Sequence, residues 1–279
     1  MAIVNKIIHS SVVDGPGNRV AIFLQGCNYQ CAYCHNPETI HYCIGCGVCV
    51  EQCPTKALRM VEGRVKWDET LCCECDTCIH VCPNLATPKT KAYSAQQIMG
   101  EIKKDIPFIR GITVSGGECS LQRDFIFELF QLAKGKGLST LADSNGSYDY
   151  ANDPELLEVC DGVMLDVKAF DSEAHVRLTG MDNQMVLKNA VFLAEHGKLE
   201  EIRTVIVPDF LPNEETVDQI TKTLQPYLAK KSIRYKIIAY RHFGVRAPYK
   251  DELCTPTNSE MQVYKEIAEK NGFRDIVLI

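Results

Sequence analysis

The chain has 279 residues, a net charge of −6 and 46% hydrophobic residues, enough for one sizeable α/β domain or one domain carrying an insert. The acidic balance and the lack of a basic run argue against nucleic acid as a partner. No stretch approaches membrane-spanning length, and Met1 to Asp14 lacks the apolar run of a signal peptide, so a cytoplasmic location is expected. The outlier is cysteine, with 15 in the chain. A core this large does not need so many disulfides, and most of these cysteines fall into tight spacings that read as metal ligands in a reducing compartment.

The first strand signal is Val20–Leu24. Before it, Asp14-Gly15-Pro16-Gly17-Asn18-Arg19 carries turn-forming residues. After it, Cys27-x3-Cys31-x2-Cys34 offers three thiolates from one short loop. A four-iron cube has four corners, so three cysteines leave one iron able to bind a substrate. A structural zinc site or buried thiols are the competing readings, and zinc usually wants a fourth ligand.

An internal repeat follows. Cys43-x2-Cys46-x2-Cys49-x3-Cys53-Pro54 recurs as Cys72-x2-Cys75-x2-Cys78-x3-Cys82-Pro83. In two-cluster ferredoxins the fourth cysteine of each run serves the other cluster. The expected ligand sets are therefore Cys43, Cys46, Cys49 and Cys82 for one cluster, and Cys72, Cys75, Cys78 and Cys53 for the other. Between the runs, Leu58–Val61 and Arg64–Trp67 flank Glu62-Gly63 as a hairpin. Residues 41–91 thus read as a ferredoxin-like insert held by metal, with 1–40 and 92–279 as the main domain. Electron delivery is its expected role, with a structural or docking role as the alternative. Cys73, Cys119, Cys160 and Cys254 read as bland thiols.

The remainder alternates strand and helix. Strands are expected at Ile112–Ser115, Thr140–Ala142, Val163–Asp166, Arg203–Val207 and Tyr235–Ala239, with Ile276–Leu278 as an edge. Helices are expected at Ala95–Lys104, Asp124–Lys136, Pro154–Val159, Ser172–Leu178, Asn183–Glu195, Glu214–Leu228 and Ser259–Asn271. Six such units make a parallel sheet, as an open barrel or a doubly wound sheet. Polar residues collect after successive strands: Gly116-Gly117-Glu118, Asp143-Ser144-Asn145-Gly146, Asp166-Val167-Lys168 and Arg241-His242. Barrels build sites at that face, whereas a doubly wound sheet uses one switch point. The expected fold is an α/β partial (β/α)6 barrel with an inserted two-cluster ferredoxin-like domain.

On these residues the sequence resembles the radical S-adenosylmethionine superfamily, through the cysteine spacing, Tyr33 and Ser115-Gly116-Gly117-Glu118. Asp14–Arg19 and Cys34-His35-Asn36-Pro37-Glu38 resemble, more narrowly, the glycyl-radical-enzyme activating enzymes. The insert and Arg241–Arg246 are similar to the YjjW-type branch of that family. The resemblance implies that the open iron chelates the amino and carboxylate groups of S-adenosylmethionine. It implies a cofactor site of Tyr33, Cys34, His35, Gly116, Gly117, Glu118, Asp143, Ser144, Asp166, Val167, Lys168 and His242, with Glu118 receiving the ammonium. Asp166 with Lys168 has a structural ion pair as its alternative, and Arg241 competes with His242, whose alternative is a surface histidine. A monovalent cation between Asp143 and Asp166 is also implied. Asp14, Gly15, Pro16, Gly17 and Arg19, beside the cluster loop, are implied to face a partner's glycine segment. The implied activity is reductive cleavage of the cofactor to a 5′-deoxyadenosyl radical, which takes a hydrogen from a glycine of a partner glycyl radical enzyme. Three [4Fe–4S] clusters and a flavodoxin or ferredoxin type reductant complete the expectation. A small-molecule or peptide substrate, or a non-enzymatic electron carrier, remain the alternatives.

Overall fold

A computed structural model describes the backbone of residues 1–279 and every side chain except that of Ala247. The chain opens with β1 (Ala2–Ser11), which buries Ala2 and Val4. The sequence does not announce this strand, because Lys6, His9 and the serines interrupt its apolar alternation. β2 (Arg19–Leu24) returns antiparallel to it and leads into the three-cysteine loop. The next segment holds α1 (Val48–Glu51), the hairpin β3 (Leu58–Val61) and β4 (Arg64–Trp67), and α2 (Thr77–His80). The hairpin stands apart as its own two-stranded sheet, with Glu62 and Gly63 both at positive φ in its turn. β5 (Lys91–Tyr93) then pairs with Ala2–Val4. Lys91, placed by the sequence at the end of the insert, therefore belongs to the main sheet.

From there strand and helix alternate: α3 (Ala95–Glu101), β6 (Gly111–Gly116), α4 (Arg123–Lys134), β7 (Ser139–Ser144), α5 (Pro154–Val159) and β8 (Gly162–Asp166). They continue as α6 (Ser172–Thr179), α7 (Gln184–Glu195), β9 (Leu199–Ile206), α8 (Asn213–Leu224) and β10 (Arg234–Ala239). α9 (Ala247–Lys250), α10 (Asn258–Lys270) and β11 (Ile276–Leu278) end the chain. The main sheet has nine strands in the order β11-β10-β9-β8-β7-β6-β2-β1-β5. All pairings from β2 to β11 are parallel, and β1 and β5 add antiparallel strands at one edge.

Side chains alternate across a strand, so each strand offers one residue set to each face. One set, including Ile22, Val114, Leu165, Ile202 and Ile237, joins the helices in a single apolar cluster. The other set mixes in many polar residues: Arg19, Thr113, Asp143, Asp166, Glu201, Arg203 and Lys236 stand among Ala21, Leu141 and Met164. A doubly wound sheet would cover both faces with helices and need apolar residues on each. The ends of β2 and β10, separated by four strands, also meet. His35 Nε2 lies 3.0 Å from Arg241 O, and Arg246 Nη2 donates to Gln30 O at 2.8 Å. The sheet is therefore curled into an open barrel with a polar interior.

The Asp14–Arg19 turn corrects an expectation. It precedes β2, so it lies at the end opposite the cysteine loop rather than beside it. Thr113 Oγ1 donates to Asp14 O at 2.6 Å and Lys236 Nζ to Val13 O at 3.0 Å, so the turn plugs the barrel floor. Arg19 is 1% exposed, and its guanidinium donates to Thr113 Oγ1, Ile112 O, Ser139 Oγ and Ser139 O. It rivets β2, β6 and β7 together from a buried position. Arg19→Met would leave those acceptors unpaired and should lower stability by about 3 kcal/mol or more. Asp14→Ala, which removes a single partly buried bond from Ser11 Oγ, should cost less, about 1 kcal/mol. Urea unfolding of both variants checks this, and equal losses would contradict the rivet.

Candidate active site

The cysteine loop is fastened at both ends. The Gly26 and Cys27 amides donate to Thr39 O and Ile40 O, and the Gln30 and Ala32 amides donate to Thr179 O and Leu178 O at the end of α6. The loop thereby spans the mouth of the barrel. Tyr29, Cys31, Tyr33, Tyr240 and Val245 form an apolar cluster there, with Cys27 and Cys34 packed against it. Burial pushes the Cys27 and Cys34 thiols up to about 12 and raises Cys31 as well. Thiolates at this place need a cationic group to stabilise them, which iron supplies. Among the described residues no three His, Cys, Asp or Glu side chains converge tightly enough to hold a single ion.

Gly116 and Gly117 explain how β6 reaches this loop. A Cβ on Gly116, at φ +119, would lie 2.2 Å from the Leu24 backbone, and one on Gly117 would lie 2.1 Å from Gly26 O. The Gly117 amide donates to Leu24 O at 3.0 Å and the Glu118 amide to Gly26 O at 2.8 Å. The close approach is thus between two backbones at the root of the cysteine loop. Glu118 is 0% exposed. Its carboxylate accepts from Ser120 N, Ser120 Oγ, Ser144 Oγ and Asn145 N, at 2.6 to 3.0 Å. Those bonds occupy the carboxylate, so it anchors the β7 loop where the sequence suggested a contact with an ammonium. Asn145, held this way, places Nδ2 3.9 Å from Cys27 Sγ and 2.9 Å from Asn28 Oδ1.

Asp143 and Asp166 enter from β7 and β8. Asp143 Oδ2 accepts from Ser115 Oγ at 2.9 Å and from Arg203 Nη1 at 2.8 Å. Arg203 Nε also donates to Glu201 Oε1, which Lys236 Nζ approaches at 3.0 Å. Burial raises the Asp143 pKa, Arg203 opposes the rise, and the Asp14 carboxylate of the floor plug adds to it. Asp166 Oδ2 takes Lys168 Nζ at 2.7 Å, and that ammonium lies 5.7 Å from the Tyr33 ring centre. Burial disfavours the Lys168 charge, but Asp166, Tyr33 and Cys31 together outweigh it and raise the pKa. Val167 is buried, its amide donating to Arg203 O.

His35 stacks on Tyr240 with ring centres 6.2 Å apart, and burial lowers its pKa. His242 is exposed, with Nδ1 3.0 Å from Lys250 O. Tyr240, two residues earlier, takes the buried place. The hydroxyls of Tyr33 and Tyr240 are buried without a hydrogen-bond partner among the described residues. Such orphans are costly unless a ligand meets them, and both lie in the cluster that holds the three cysteines. Arg203 and Tyr240 were not singled out from the sequence, and Asn145 was noted only as part of the polar run after β7. For Arg203 a signal existed: Glu201 and Arg203, two apart, share one face of the strand while Ile202 and Ile206 take the other.

In the insert, one cavity is lined by Cys53, Cys72, Cys75 and Cys78, with Trp67 and Lys89. Burial raises the Cys49 thiol, and Cys43, Cys46 and Cys82 add to the rise. Cys53 thus shares a cavity with the three cysteines of the second run and with Cys73.

The pattern of the Radical SAM superfamily matches residues 21–225, and the chain belongs to that superfamily. It is 32% identical to the (2S)-3-sulfopropanediol sulfolyase activating enzyme of Bilophila wadsworthia, over 87% of this chain and 86% of that one. It is 31% identical to the pyruvate formate-lyase-activating enzyme of Streptococcus mutans, over 87% of this chain and 78% of that one. It is 29% identical to the trans-4-hydroxy-L-proline dehydratase activating enzyme of Clostridioides difficile, over 94% of each. Within the superfamily, the chain thus belongs with the activating enzymes of glycyl radical enzymes. The fold is similar to QueE from Escherichia coli, with a TM-score of 0.55 at 13% identity, over 100% of this chain and 93% of that one. The superfamily implies a [4Fe–4S] cluster and S-adenosylmethionine.

Gly117→Ala should force β6 away from Gly26 and cost about 3 kcal/mol or more. Anaerobic denaturation should show the loss, and iron bound at the three-cysteine loop should fall with it. A variant as stable as the parent would contradict the backbone contact described here.

Proposed function

We propose that this chain generates a glycyl radical on a partner glycyl radical enzyme, with a four-iron cluster on Cys27, Cys31 and Cys34 and S-adenosylmethionine beside it. The observation that carries this reading is the convergence at the barrel mouth of the three-thiol loop, the Lys168–Asp166 pair and the orphaned hydroxyls of Tyr33 and Tyr240. When bound, the cluster and cofactor supply a one-electron bond cleavage that yields a 5′-deoxyadenosyl radical. The chain supplies placement. Lys168 and Asp166 offer a cation and an anion to the zwitterionic end of the cofactor. Gly116, Gly117 and Glu118 hold the cysteine loop against β6, and Ser144 holds Glu118. His35 and Tyr240 wall the site, while the exposed His242 stands outside it. A monovalent cation between Asp143 and Asp166 would have to share Asp143 with Arg203.

The insert, residues 41–90 once Lys91 is given to the sheet, carries two further clusters in the interleaved sets. The grouping of Cys53 with Cys72, Cys75 and Cys78 supports this reading. Its expected donor is a flavodoxin or ferredoxin type protein. No helix among the described residues is long and apolar enough to cross a membrane. A reducing cytoplasm suits so many free thiols.

Anaerobic reconstitution should give about 12 iron atoms per chain, and near-stoichiometric zinc would sink the reading. With reductant and cofactor, a partner glycyl radical enzyme should gain a radical doublet that collapses when its glycine is α-deuterated. Deoxyadenosine should then carry deuterium, and deuterium arriving only from a small molecule would reject the activating role. Separately, Lys168→Ala and Asp166→Asn should weaken cofactor binding about tenfold with all clusters intact. Anaerobic calorimetry reads this, and unchanged affinity would leave the two as a structural pair.

A further inference from the structure

The cysteine loop and the insert are joined by more than chain connectivity. The Cys27 amide donates to Ile40 O at 2.9 Å. Gln25, 1% exposed, sends Nε2 to Glu38 O at 2.6 Å and to His41 O at 2.5 Å. Tyr42 returns the contact: its hydroxyl donates to Gln25 O at 2.9 Å. Its ring lies on Gly26, where an added Cβ would stand 2.6 Å from the phenol oxygen. Tyr42 O accepts from Asn84 Nδ2 at 3.0 Å. Tyr42 directly precedes Cys43, and Asn84 follows Cys82-Pro83. Both flank ligands of the same proposed cluster.

We propose that Gln25, Tyr42 and Asn84 form a latch that fixes the cluster on Cys43, Cys46, Cys49 and Cys82 at a set separation from the one on Cys27, Cys31 and Cys34. The segment Ile40–Cys43 is then the route by which an electron passes between them. This rests on the three-cluster reading above. The step is a one-electron transfer in which the insert's cluster is oxidised and the catalytic one is reduced. A one-electron donor of the flavodoxin class re-reduces the insert. No bond or proton changes place. Tunnelling weakens exponentially with separation, so a loosened insert slows the step even when both clusters are complete. Tyr42 is a positioning residue, since it touches neither cofactor nor substrate.

The test uses the full reconstituted chain as wild type, Tyr42→Leu and Asn84→Ala, each mixed with one equivalent of reduced flavodoxin. Rapid-freeze electron paramagnetic resonance follows the catalytic-cluster signal, recognised by its change on adding S-adenosylmethionine. All three proteins should hold about 12 iron atoms, with signal growth slowed at least about tenfold by Tyr42→Leu and about threefold by Asn84→Ala. Cofactor cleavage driven by excess dithionite should stay within about twofold of wild type in both variants. If the wild type holds only about 4 iron atoms, the three-cluster reading falls and the latch with it. If the iron is complete and both variants match the wild-type rate, the latch alone is overturned. Equal slowing under dithionite also overturns it, because the damage is then to the catalytic site. Should Tyr42→Leu lose iron, Asn84→Ala decides by the same rate.

Discussion

The site depends on the approach of two backbones at the root of the cysteine loop. Gly26 O receives the Glu118 amide, and Gly117 leaves no room for a side chain between them. Only glycine tolerates that contact, and only because of it does Glu118 turn inward to take up Ser144 and Asn145. A fully buried carboxylate is tolerable when donors surround it, and two of its four donors are backbone amides. The ends of β2, β6 and β7 are thus locked together before any cofactor enters. Asn145 carries that order to Cys27.

The barrel interior shows a second constraint. Arg19, Asp143, Asp166, Glu201, Arg203 and Lys236 bring opposite charges inside the sheet. Buried charges are tolerable when paired, and removing one partner leaves the other exposed to the full desolvation penalty. Pairing runs across strands: Arg203 of β9 reaches Asp143 of β7, and Lys236 of β10 reaches Glu201 of β9 and the floor plug. An interior wired in this way fixes polar side chains inside the sheet, apart from the apolar cluster around the cysteines. The cofactor's charged and aromatic parts call for such a division.

The insert has little core of its own. Its buried apolar side chains include Cys49, Ala57 and Leu58, and none of these joins either of the two hydrophobic clusters. A segment of this kind relies on ligated metal and on its attachments for order. Those attachments run to Gln25 and Gly26, the residues immediately before Cys27. The stability of the insert and the geometry of the catalytic loop are therefore linked.

Sequence alone determined what depends on spacing and period. The cysteine runs, the hairpin at Glu62-Gly63 and the six parallel strands follow from local order, because ligand spacing and side-chain alternation are properties of short segments. It missed β1 and β5, where polar residues blur the alternation and pairing comes from residues far along the chain. Tertiary structure decided what each polar residue does. Arg19 sits in a turn motif by sequence, yet the curl of the sheet buries it among Thr113, Ile112 and Ser139. Glu118 looks like a ligand contact, yet the neighbouring loop consumes its carboxylate. Tyr240 rather than His242 faces inward, because the direction of a side chain after a strand is set by what packs against it, here the ring of His35. Such choices rest on contacts between separate elements of the fold, and no local pattern encodes them.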